Sequence, residues 1–598
     1  LDEETLRSTH HALATTLDAR ERSHAREVYE LARHYAAGYV SEAPGRVFET
    51  NFEAGRVALA DNAFDEAHRF LSTACEVAES FDLPMSPALQ SAMGEACAAT
   101  GRIDRAVDWY EQAVERVDDP VERARIHARI AGVYMAALSA DAAAEHVEQG
   151  LSSLGRRFPR TSLFKYIGTL VAWLFSYAFS ALRFFGWSGR EDHRTELLCT
   201  LYELGSVAAF FQNDAVRLMH LITRAHSEAS RLQPCPARIR AELTYGVLLA
   251  MLQRGDSATE HVAGIVAEAE LLGEPRLAAR AHWFDGSIYE FMGEAPRAES
   301  ILRETIRQRG VWLELWEYVT ICGELGGLLL DRGFAVEVEQ WGRRIMDKTD
   351  HVEGDTDIVH LERVYGLCLR ACSHAWTGDG ISARELIDQA NEILERSHDR
   401  GLGLTSALGY ELIVHFECGN YGEEISKVIE RWDELGLRPD RVPHQIRRFY
   451  VYKAYARLEQ YRRAIRTEKR RSEQRLRSAL DELEQAAQTP KHRLHAYVVR
   501  ADYEILRGGR ERAMSLLTEA ERLADICNSP WGNFEVEVRR ARLLKDSGHD
   551  DSARRRARRA HEIAQEYGWE SRARDLQIQF DFYERFEPGG ASHSTSTT

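Results

Sequence analysis

Small, turn and bulky residues recur along this chain in one fixed order, and that recurrence limits the fold more than any other feature. A small residue is followed seven positions on by a turn residue, often Gly, then about five further by Ala, four further by a bulky side chain, and then by another small residue. Clear copies are Gly94, Gly101, Ala106, Tyr110, Ala113; Gly286, Gly293, Ala298, Leu302, Thr305; Ala371, Gly378, Ala383, Ile387, Ala390; Ala501, Gly508, Ala513, Leu517, Ala520; and Ala541, Gly548, Ala553, Ala557, Ala560. Weaker copies begin at Gly55, Ala131, Gly326 and Leu412. Two helices that cross closely need small residues where their backbones meet, and the turn between them needs a residue that tolerates positive φ. The pattern therefore predicts paired small residues Gly94/Ala106, Gly286/Ala298 and Ala371/Ala383 inside hairpins. The bulky residues are expected to fill the groove toward the next hairpin.

The turn glycines at 293, 333, 378 and 419, then 508 and 548, repeat about every 40 residues, longer than the tetratricopeptide norm of ~34. Helices longer than that consensus, or looser linkers, account for the difference. Strand signal is almost absent: Val319–Cys322 is short and lies inside helical periodicity. The expected fold is all-α, a right-handed α-solenoid of tetratricopeptide-like helical hairpins. At 598 residues, with 44% hydrophobic and 29% charged residues, such an array buries a core without needing one oversized globule.

Three stretches depart from the repeat. Leu163–Trp187 carries 17 uncharged residues from Tyr166 through Leu182, just under the ~18 of a membrane span. Its polar or small positions Lys165, Thr169, Ala172, Ser176, Ser180 and Arg183 form one helical stripe, so a buried helix packing that stripe on a neighbour is favoured over membrane association or a docking surface. Tyr461–Arg477 holds eight basic and two acidic side chains, with no apolar residue between Arg466 and Arg475. It is expected to continue a single helix from near Gln445 to about Ala487 and to project into water as a charged arm. Phosphate, acidic protein or nucleic acid are the ligands such an arm would take. A second basic run, Arg554–Arg559, alternates with Ala553, Ala557 and Ala560 and reads as the solvated outer face of a terminal repeat. The organisation expected is thus repeats over 1–155, an apolar inserted helix over 156–192, central repeats over 193–440, a long charged arm over 441–490, C-terminal repeats over 491–586 and a disordered tail over 587–598.

Charge and motifs narrow the function. A formal charge of −17 argues against wholesale nucleic-acid binding. There is no P-loop, no HExxH, no GxSxG, no kinase catalytic loop and no zinc spacing. No catalytic, cofactor-binding or metal-ligating residue is expected, and no cofactor. His374 and His415 fall at interior first-helix positions and read as hydrogen-bonded core histidines, while His10 and His11 point to opposite sides of a helix. The nine cysteines lack any CxxC pair and read as reduced, mostly buried thiols of a cytoplasmic protein.

ARHYAAG at 32–38 with the NFEAGRVALADNAFDEAHRFLSTACEVAE that follows, LSSLGRRFPRTSLF at 151–164 and WLELWEYVTICGELGGLLLDRG at 312–333 resemble the tetratricopeptide region of large bacterial STAND-type signalling ATPases. Many members of that family also carry a serine/threonine kinase domain or another signalling output. The resemblance implies a protein-interaction and sensor array that restrains or releases an upstream ATPase or kinase of the same polypeptide. The start on Leu1, already inside an amphipathic pattern, fits the C-terminal part of a larger protein. The partners expected are a protein or peptide and those upstream domains; nucleic acid is disfavoured, and membrane association through 163–187 is the lesser reading. Two alternatives stay open: a nucleic-acid-associated regulator using the Arg-rich helix, and an enzyme with an unrecognised site.

Overall fold

A computed structural model describes residues 2–19, 24–158, 168, 191–252, 254–349, 362–397 and 401–581. Those residues form helices joined by short turns, with no β-strand among them, so the chain is an all-α solenoid of tetratricopeptide-like hairpins. The apolar segment over 163–187, apart from Gly168, and the tail over 587–598 lie outside the described residues. No described helix is long and apolar enough to cross a membrane.

Local chemistry sets the hairpins. Pro44, Pro87, Pro120, Pro236, Pro275, Pro490 and Pro530 each open the first helix of a hairpin, where a missing N–H costs nothing. The seven turn glycines read from the pattern, at 101, 293, 333, 378, 419, 508 and 548, all take positive φ, and Asn62, Leu138 and Asn213 take it at equivalent turns. Most first helices of the later repeats run 16–18 residues, as Pro275–Met292, Leu315–Arg332 and Leu402–Glu417 do, and this length produces the long repeat period.

The small pairs are buried as expected: Ala106, Ala298, Ala371 and Ala383 have no exposed surface. The bulky residue also packs within its own hairpin. A Cβ on Gly94 would meet the Tyr110 ring at 2.9 Å, and one on Gly286 would meet Leu302 at 2.7 Å. These two bulky side chains therefore lie over the glycine of their own hairpin, sixteen positions back, in the space a Cβ would take.

The charged arm is also corrected. A 3₁₀ turn, His444–Ile446, precedes two separate helices, Arg448–Arg463 and Lys469–Ala486, which form another hairpin. Ala464 leaves the helical region (φ −63°, ψ 131°), and Lys469 folds back to donate to the Tyr461 carbonyl at 2.6 Å. Burial explains the reversal: Leu476, Leu480 and Leu483 are buried beside Tyr450, Leu458 and Tyr461. A continuous helix would have left those leucines in water. The segment 466–475 is exposed or half-buried at the hairpin tip, as its composition requires.

First helices line the inside of the array and second helices the outside. Leu315–Arg332 buries thirteen of its residues and its hairpin partner Ala335–Thr349 six, which assigns the inner position to the former. The array then closes on itself. Leu315–Arg332 packs on Pro530–Lys545, Glu362–Thr377 on Glu570–Phe580, and His193–Phe211 on Leu402–Glu417. Trp569 Nε1 donates to the Gly333 carbonyl at 2.9 Å and Arg332 Nε to the Asn528 carbonyl at 3.0 Å. Gly333, with φ of 98°, has no room for a Cβ because Trp569 lies 2.6 Å from where it would stand.

Candidate functional site

Closure turns the inner face into a buried polar lining rather than an open groove over the later repeats. Lys491 Nζ lies 2.8 Å from Asp331 and 3.4 Å from Glu290, His444 Nε2 is 3.1 Å from Glu290, and Arg448 reaches Asp331 at 3.4 Å. Burial alone would raise the Glu290 carboxyl, but His444, Lys491 and Arg448 hold it down at about 2. Further along, the Arg572 guanidinium sits 4.2 Å over the Trp376 ring and bridges Glu417 at 2.5 Å to Glu535 at 2.6 Å. These groups neutralise one another, so this part of the lumen is a structural clasp.

Between the clasp and the N-terminal half, the inner helices separate. There the helices His193–Phe211, Pro236–Met251, Pro275–Met292 and Leu315–Arg332, with Leu218 and Ile222 behind and Gln445 at one side, enclose a cleft of about 90 Å³. Its walls are apolar and aromatic: Phe210, Met251, Trp283, Phe291 and Trp316. Trp283 and Trp316 meet edge to face with ring centres 5.9 Å apart. Among the described residues, Glu324 is the only ionisable side chain lining it. A neighbouring chamber of about 50 Å³ shares Phe210, Phe211, Thr320, Glu324 and Gln445, then runs toward Tyr410 and Arg448.

Glu324 Oε2 accepts from Trp283 Nε1 at 2.9 Å and from Ser287 Oγ at 2.7 Å. Burial, then the ionised Glu290 nearby, pushes its carboxyl up to about 8, overcoming the two hydrogen bonds that favour the anion. At neutral pH it is therefore a carboxylic acid, able both to donate and to accept. The Gln445 Oε1 atom is buried beside it without a partner. Apolar walls with two groups that can each donate and accept a hydrogen bond suit a small apolar group of a ligand rather than a whole drug-sized molecule.

The residues singled out from sequence lie elsewhere. His374 is half-buried on Asp379 at 3.2 Å, and His415 is half-buried near Glu411, so neither is a core histidine. Both sit near the edges of inner helices, where the hairpin turn exposes them. His10 meets His34 at 2.7 Å while His11 faces Glu42 and Tyr39, on opposite sides as expected. The nine cysteines are free, seven of them buried. Ala553, Ala557 and Ala560 are buried, and Arg554, Arg555, Arg558 and Arg559 are exposed. Sequence reasoning missed Glu324, although a carboxyl inside the apolar run Val319–Leu330 was a usable signal.

No family model matches this sequence, and no curated protein matches it. Among solved structures, a Rap protein complexed with competence and sporulation factor aligns over 73% of this chain and 99% of its own, at 10% identity and a TM-score of 0.35. Yeast Tom70 aligns over 90% and 96%, at 11% identity and a TM-score of 0.28.

Proposed function

We propose that this array is a non-catalytic protein-interaction and sensor module whose inner cleft captures a short apolar segment of a polypeptide. Through that capture it regulates an ATPase or protein kinase domain upstream in the same polypeptide. The aromatic cleft around Glu324 carries the reading. Its walls come from four successive inner helices, so an occupant changes how neighbouring hairpins pack, and the neutral carboxyl and the Gln445 amide supply the hydrogen bonds that a peptide backbone needs. The resemblance of 32–38, 151–164 and 312–333 to the repeat region of STAND-type ATPases supports the regulatory half.

Filling the cleft tests both halves. Thr320 is half-buried on its wall, and Thr320→Trp places an indole in the void without entering the core behind it. Peptides with bulky apolar anchors, selected from a display library on the chain, should bind it and lose about tenfold or more affinity to the variant. In the whole polypeptide the same substitution should change the ATPase or kinase rate. Peptides that bind both proteins equally would refute the cleft as the site; an unaltered catalytic rate would refute regulation through it.

A further inference from the structure

The hairpin formed by Arg448–Arg463 and Lys469–Ala486 leaves a second concavity on the outside of the array, remote in chemistry from the aromatic cleft. It measures about 550 Å³ and is closed on its far side by the turn 419–422 of the preceding repeat. Arg463 enters from the first helix, Arg471 and Arg475 from the second, and Asn420 and Ser472 add polar side chains. Three guanidiniums against the single carboxylate of Glu468 leave the lining two charges positive on a chain of formal charge −17.

The arrangement is held in place. Gln460 Nε2 donates to the Tyr421 carbonyl at 2.9 Å, which pins the turn against the first helix, and the Arg463 guanidinium lies 4.3 Å over the Tyr421 ring. Arg471 and Arg475 stand one helical turn apart, on the same face of Lys469–Ala486. Like charges at that spacing repel one another. On the same hairpin, by contrast, Arg462 is matched by Asp502 and Arg477 by Glu473 at 2.7 Å. Among the described residues, no carboxylate lies within ion-pair distance of Arg463, Arg471 or Arg475. Three guanidiniums without an ion-pair partner among the described residues thus line one hollow.

We infer that this concavity binds a phosphate monoester, held by Arg471 and Arg475 on one side and Arg463 on the other. A phosphate monoester carries a charge of about −1.5 to −2 near neutral pH, which matches the lining, and its planar faces of oxygens accept paired N–H donors from guanidinium. A free carboxylate would leave part of the charge unmatched. The open mouth admits a phosphate carried on a polypeptide as well as a free one. This site is independent of the aromatic cleft and stands whether or not that cleft binds peptide.

Calorimetric titration of the chain with inorganic phosphate, a phosphoserine peptide, its serine and glutamate counterparts, and a single-stranded oligonucleotide tests it. The phosphoserine peptide should bind with one-to-one stoichiometry and the serine peptide should not. The variant Arg471→Gln/Arg475→Gln should lose about tenfold or more of that affinity. Both residues are exposed, so its melting midpoint should equal that of the unsubstituted chain. The control Arg554→Gln/Arg558→Gln, on the exposed face of Asp550–Glu566, should bind as the parent does. Inorganic phosphate binding as tightly as the peptide, with the same arginine dependence, assigns a small-molecule source and supports the site. Equal affinity for the glutamate peptide overturns the phosphate assignment. So do binding unaffected by the Arg471/Arg475 variant, loss of binding in the control, tighter binding of the oligonucleotide through the same arginines, and no binding of phosphate in either form.

Discussion

Replacing Glu324 with Gln should stabilise the protein above about pH 5, by an amount that grows with pH. In the fold this carboxyl is raised from 4.5 to about 8, first by burial and then by Glu290. In the unfolded chain it ionises near 4.5, so the folded state holds a proton that the unfolded state has released. The contribution of Glu324 to stability is therefore fully present below pH 4.5 and is lost as pH rises toward 8. Each unit is worth ~1.4 kcal/mol, so the loss is about 3 kcal/mol at pH 7 and levels off above pH 8. Gln escapes it, being neutral in both states, while its carbonyl still accepts from Trp283 and Ser287. Urea unfolding of both proteins from pH 5 to 9, with hydrogen exchange of the Leu315–Arg332 amides as a local readout, measures the difference. The gap should be small at pH 5 and widen by about 1 kcal/mol per pH unit to pH 8. Parallel pH profiles would refute the reasoning, since they would mean that Glu324 ionises in the fold much as it does in water.

Gly286→Leu should overpack against Leu302, whose side chain already occupies the space of the missing Cβ, at a cost of ~1–3 kcal/mol by urea unfolding. Lys491→Met leaves Glu290 and Asp331 without the buried ammonium they share, so a loss of about 3–5 kcal/mol is expected, with the greatest gain in exchange rate at contacts between Leu315–Arg332 and Pro530–Lys545.

The hairpin register was legible because it is local. Gly293 and Gly378 mark turns that demand positive φ, and Gly286 and Ala383 mark crossings that admit no larger side chain; both constraints act within one repeat. The exposure of the arginine-rich tip was equally legible, since 466–475 offers no apolar face. That the chain breaks at Ala464 was not, because no Gly or Pro announces it. Only burying Leu476, Leu480 and Leu483 against the preceding helix favours two antiparallel helices over one long one. The same limit hid the aromatic cleft and the buried clasp. Glu324, Trp283, Phe210 and Gln445 lie on separate repeats, and Lys491 meets Glu290 across 201 residues. Helical periodicity fixes which face of each helix is inward. Which inward faces meet depends on the small rotation between successive hairpins, summed over the array until it closes on itself. That sum belongs to the tertiary structure, and it decides where the lumen is filled by paired charges and where it stays open.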